Sequence, residues 1–320
     1  MLNVYFTVDV EIWCDGWLEI DAQFPSAFEK YIYGTTAKGE FGLPFQLNLL
    51  KQHGLAGVFF IEPLFSTRFG PEPLAEIVGL VRDNGQEVQL HLHTEWVDES
   101  RTPLLKHVGK KRQHLRHFTL EEQEQLIAIG ATLLKQAGAG GINAFRAGSF
   151  GFNRATLCAL AANGIPFDSS YNATQFGPDS GVMPGVMVVE PIECERIYEY
   201  PITVFKDGVG SLRPAQLTAC SFKEIEALLW TALESERSAF VILSHSFELL
   251  NRAQARPDDV VVRRFQKLCS FLDRNRDSFC VRGFSGLEPQ SAEQQPAPLA
   301  APFWSSATRM MEQAYRWKYE

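Results

Sequence analysis

The sequence predicts an α/β fold, with parallel strands and helices alternating to close as a single (β/α) barrel. Three observations carry this prediction. Short β-branched and aromatic segments alternate with segments of helical period, the pattern of a parallel sheet with crossover helices. Residues 240–244 are apolar without interruption, as in strands covered on both faces. Acidic, imidazole and guanidinium side chains sit where predicted strands end, and barrel enzymes collect their sites at those ends.

Each element has a local reason. Residues 4–10 are β-branched and aromatic and read as a strand that begins almost at the first residue. Leu43, Phe45, Leu47, Leu49 and Leu50 suggest a helix of open register, and 55–62 supplies a second strand. In the next helix Pro73 fits the first position. Leu74, Ile77, Val78 and Val81 then follow the i, i+3, i+4, i+7 spacing, and Gly85 ends the helix. A strand over 86–91 follows directly. Thr119 with Glu122, and Ser221 with Glu224, form capping boxes in which hydroxyl and carboxylate satisfy free backbone donors reciprocally. A short helix is expected over 153–163 before Gly164, another over 258–272, and a last strand over 279–281. The barrel is expected to occupy residues 1–286. Residues 287–302, rich in Pro, Ala, Gln and Ser, read as a linker. The aromatic segment 303–320 is expected to be a helix, packed on its own barrel or offered to a partner.

The composition excludes several classes of function. A chain of 320 residues with 45% hydrophobic content can bury a large core as one barrel. A net charge of -8 argues against general nucleic-acid binding. The six cysteines are scattered and include no C-x-x-C pair, which disfavours a thiolate metal cluster. The first residues lack the basic and small-residue features of a signal peptide, and no apolar run approaches the roughly 20 residues of a membrane span. A cytoplasmic protein is expected.

Four places carry chemistry. Asp9 and Glu11 alternate with Val10, so both carboxylates can point to one side of a buried strand. There they repel unless a cation or a proton intervenes. His91, His93 and Glu95 share a face if their strand continues, whereas a helical turn would bring His91 to Glu95; either set suits zinc and related divalent ions. Arg146 can hold a carboxylate through two hydrogen bonds and keep it ionised. His245 closes the apolar strand, and an imidazole that titrates near neutrality suits proton donation to a leaving amine.

In this order the motifs resemble those of the polysaccharide deacetylase (NodB-homology, carbohydrate esterase) superfamily, from the N-terminus to about Gly283. Thr7-Val8-Asp9-Val10-Glu11 resembles the family's acidic pair, here separated by one residue as in a subset of members. Gly85-Gln86-Glu87-Val88-Gln89-Leu90-His91 resembles the lead into its H-x-x-x-H, with Glu95 replacing the second histidine and His93 added between. Phe145-Arg146-Ala147, Phe167-Asp168-Ser169-Ser170 and Leu243-Ser244-His245 resemble its F-R-x-P, Y-D-S-S and final histidine motifs.

The resemblance implies an irregular seven-stranded (β/α)7 barrel and a divalent metal cofactor, zinc first among the candidates. Glu11 and His91 would be metal ligands, joined by Glu95 or His93. Asp9 would be the base, Arg146 its holder and His245 the acid. The implied activity is hydrolysis of a non-peptide amide, N-deacetylation of an N-acetylated sugar or polysaccharide precursor. Allantoinase-like hydrolysis of a small non-sugar amide and a non-catalytic carbohydrate-binding barrel are the alternatives. The basic stretch 101–117, which includes Lys110, Lys111 and Arg112, predicts a lid attracting an acidic carbohydrate, or else a solvated loop that balances Asp98, Glu99 and the acidic turn 121–124.

Overall fold

A computed structural model describes residues 1–106, 111–251, 253 and 255–319. They form two compact units whose segments interleave along the chain: Met1–Gly57, Thr203–Gly283 and Ala297–Glu320 in the first, Val58–Ile202 and Phe284–Pro296 in the second.

In chain order the first unit opens with β1 (Leu2–Val10), α1 (Ile20–Phe28), the short pair β2 (Thr35–Thr36) and β3 (Gly39–Glu40), and α2 (Leu43–Gln52). The second unit supplies β4 (Val58–Ile61), α3 (Ser66–Phe69), α4 (Glu72–Asp83), β5 (Glu87–Leu92) and α5 (Leu120–Gln136). It continues with β6 (Ala144–Ala147), α6 (Arg154–Ala162), β7 (Phe167–Asp168), β8 (Ile192–Cys194) and β9 (Ile197–Glu199). The chain then returns to the first unit with β10 (Val204–Lys206), β11 (Leu212–Pro214), α7 (Phe222–Glu234) and β12 (Ala239–His245). It ends with α8 (Asp259–Arg274), β13 (Phe279–Val281), β14 (Leu299–Ala300) and α9 (Phe303–Tyr319).

The α/β class is as expected, with parallel pairing throughout the core strands. In the first unit β1 lies between β12 and β13, parallel to both, and Asp9 is in register with His245. In the second, β4, β5, β6, β7 and β9 are successive parallel neighbours, and β8 returns antiparallel on β9. β1 and β12 are buried along nearly their whole lengths, which explains their near-continuous apolar character.

The local signals worked as their chemistry requires. Both capping boxes form, Thr119 on α5 and Ser221 on α7, and Asn153 caps α6 in the same reciprocal way with Thr156. Leu74, Ile77, Val78 and Val81 are the buried stripe of α4. That helix starts at Glu72, so Pro73 occupies its second position, where a missing N–H is still harmless. Asp258 caps α8 by accepting from the N–H groups of Val260 and Val261.

Residues 287–302, expected as a linker, pass from the second unit to the first and include β14, which pairs with β10 at Phe205↔Leu299. Residues Phe303–Tyr319 form helix α9. No helix of the described residues is long and apolar enough to cross a membrane.

Candidate active site

In the first unit the end of β1 delivers Asp9 and Glu11, 2% and 7% exposed, beside the end of β12. Parallel register places Asp9 next to His245, and the N–H of Ser246 donates to the Asp9 carbonyl. Gln46 of α2 donates to the carbonyls of both His245 and Ser246, which fixes the chain as it leaves β12. The His245 Nδ1 is 2.8 Å from Glu248, and its Nε2 is 3.9 Å from Glu11. Burial alone would lower the His245 pKa. The Glu248 carboxylate, with Glu11 and Asp9 behind it, outweighs burial and raises the imidazole to about 9. Gln216 and Ser244 donate to Glu248 in turn.

In the second unit β5 brings His91 and β6 brings Arg146 into register. Nδ1 of His91 donates to the Arg146 carbonyl at 2.8 Å, so its lone pair belongs to Nε2. β5 ends at Leu92, and Thr94–Glu99 turn into a 3-10 helix, so Glu95 does not continue an alternating strand face. The Glu95 carboxylate lies 3.3 Å from Nδ1 of His93, which again leaves Nε2 to face outward from the pair. Gly148, just after β6, packs on this ring: a Cβ there would lie 2.8 Å from His93 and 2.6 Å from the Leu92 carbonyl. The next two residues, Ser149 and Phe150, hold left-handed backbone at φ 50° and 56°, the kind of stored strain that clusters at functional sites.

The Arg146 guanidinium is fully buried. It stacks over Phe60 and donates through Nε to the Ser169 carbonyl and through Nη2 to the Ser169 hydroxyl. Nearby, Asp168 and Glu199 are fully buried carboxyls in register on the neighbouring strands β7 and β9. Burial raises both, Glu199 further because the Asp168 charge adds to it. Glu62, at the end of β4, is also fully buried. Its carboxylate accepts from the N–H groups of Leu64 and Phe65, yet burial still pushes it up to about 8.

Three of these residues are not among the candidates the sequence offers. Glu62 ends an apolar segment in the manner of Asp9, the one signal that could have found it, whereas Glu199 follows only Ile197 and Tyr198 after a charged pair. Glu248 lies three residues beyond His245, a spacing that becomes informative only once the chain turns there.

Two cations of the expected basic lid, Lys111 and Arg112, are paired. Lys111 bonds Glu99 at 2.5 Å. Arg112 bonds Glu122 through both terminal nitrogens and covers Phe118. Lys110 lies outside the described residues.

No family model matches the chain, and no curated protein matches it. Solved structures do. A protein from Mycobacterium smegmatis described as a polysaccharide deacetylase superposes with a TM-score of 0.54 at 19% identity, covering 92% of this chain and 95% of its own. A mutant of a CE4 family pseudoenzyme has a TM-score of 0.43 at 15% identity over 89% of this chain and 66% of that one. The family 4 carbohydrate esterase from Streptomyces lividans, solved with acetate, has a TM-score of 0.41 at 14% identity, over 93% and 97%. The likeness to the first structure establishes a shared fold.

Proposed function

We propose that the chain is a metal-dependent amide hydrolase of the polysaccharide deacetylase type, acting on an N-acetylated sugar through an irregular (β/α)7 barrel. Its metal ligands would be Glu11, His91 and His93, and what carries the reading is that the two imidazoles are buried side chains with Nδ1 spent on an oxygen. The donor set fits a zinc-like cation. Both imidazoles have Nδ1 hydrogen-bonded to an oxygen, the arrangement that fixes ring orientation and directs the Nε2 lone pair at a metal. In this reading Glu95 orients His93 and is not itself a ligand. When bound, the cation would supply an acidified water and polarise the substrate carbonyl.

The protein's own groups divide the proton transfers. Asp9 would accept a proton from the attacking water, with Arg146 as its holder. Ser169 fixes the Arg146 side chain through two hydrogen bonds, so that charge does not wander. His245 donates to the departing nitrogen through Nε2, since Glu248 holds Nδ1. Such acid–base help is typically worth about 10² to 10⁴ in rate.

Two measurements test this. Zinc content after dialysis should be near one ion per chain in wild type and near zero in His91→Ala and Glu11→Ala. Equal, negligible zinc in all three would remove the metal site and favour a carbohydrate-binding protein without catalysis. Asp9→Asn should keep the fold and most of the zinc but lose turnover on an N-acetylglucosamine oligomer by about 10² or more. Undiminished turnover would move the base elsewhere.

A further inference from the structure

Helix α9 is amphipathic in the inverse sense. Among its described side chains Ser305, Ser306 and Arg309 are the buried ones, at 0%, 1% and 3% exposure, whereas Phe303, Trp304, Met311 and Tyr315 are 68%, 57%, 66% and 51% exposed. This rotation is locked. Arg309 donates to Glu224 and Asp207, Arg316 to Asp258, and Arg264 of α8 to Glu312. The helix therefore cannot roll its aromatic side inward without leaving buried charges unpaired.

Beside Met311 and Tyr315 the first unit has a cavity of about 290 Å³, walled by Phe222 and Val260 and bordered by Arg263 and Lys267. Glu312 at this cavity is already paired with Arg264. Arg263 and Lys267 are exposed, one helical turn apart on α8, and neither has an ion-pair partner among the described residues. The cavity mouth is thus cationic in a chain whose overall charge is -8.

We propose that this face docks on an anionic lipid surface, with a headgroup phosphate at Arg263 and Lys267 and the outer side of α9 in the interfacial layer. Trp and Tyr favour that layer because each has an apolar body and a polar tip. An amphipathic helix lying in the surface plane needs an apolar side and adjacent cations, and both occur here. The acidic remainder of the chain would be repelled by the same surface, which orients the protein with this face inward. The inference is independent of the proposed hydrolase activity.

Flotation of the full chain with vesicles tests it. Wild type should float with vesicles containing phosphatidylglycerol and stay behind with phosphatidylcholine alone. The double variant Arg263→Glu/Lys267→Glu should lower partitioning by roughly tenfold or more. Trp304→Ser/Met311→Ser should lower it to a similar degree, including at high salt, where charge is screened. All these positions are exposed, and unchanged thermal melts would confirm that the variants fold. Three results would overturn the proposal: no flotation with the anionic vesicles, unaltered flotation of both variants, or a solution dimer abolished by Trp304→Ser/Met311→Ser. The last would assign the face to a second copy of the chain.

Discussion

Histidine tautomers and buried carboxyls hold most of the chemistry at the residue scale. His91 and His93 each spend Nδ1 on an oxygen, and the two acceptors differ in kind: a backbone carbonyl for His91, a carboxylate for His93. The Asp168–Glu199 pair allows a separate prediction. An acid whose pKa is higher in the folded state holds its proton more tightly there. Its contribution is complete below the ordinary carboxylate range and is lost as pH rises through the raised value. For Asp168 that window runs from about 4 to about 6, and it extends higher for Glu199, whose shift is upward for the same reason and through its partner's charge. Glu199→Gln keeps a hydrogen-bond donor towards Asp168 without a second ionisable group. Against wild type, the variant should therefore lose less stability on going from pH 4 to pH 8. Urea melts across that range measure the difference, and parallel curves would show that folding does not raise Glu199.

Caps and burial patterns made many of the secondary-structure elements legible in the sequence. Thr119, Asn153, Ser221 and Asp258 act within three residues of themselves, so their effect needs no tertiary context. The segment after His91 was open for the opposite reason. Two alternations and one helical turn span the same few residues, and only packing decides that β5 stops at Leu92. α9 was equally open, because its aromatic residues suggest an inward face while Arg309 in fact turns inward between Asp207 and Glu224. Removing that guanidinium strands two buried carboxylates, so Arg309→Met should cost about 3–5 kcal/mol in urea unfolding. Met311→Ser, on the exposed side, should change stability by no more than about 0.5 kcal/mol. Similar costs for the two would mean the helix is not anchored by its charges.

For the whole molecule, ligand binding and folding are linked. If Glu11, His91 and His93 hold one cation, zinc at 100 times its dissociation constant should stabilise the chain by about 2.7 kcal/mol. The melting temperature should rise with added zinc in wild type and stay fixed in His91→Ala; the same rise in both would place the zinc elsewhere. By itself the sequence determined the α/β class, the strand ends that carry Asp9, Glu11, His91, Arg146 and His245, and the helix caps, since periodicity and capping are properties of neighbouring residues. Only the tertiary structure decided that Asp9 lies in register with His245, more than 200 residues away, and that Asp168 meets Glu199. It also decided that Lys111 and Arg112 are spent on Glu99 and Glu122. Those pairings follow from strand order and from the desolvation of buried charge, and neither is written in local sequence spacing.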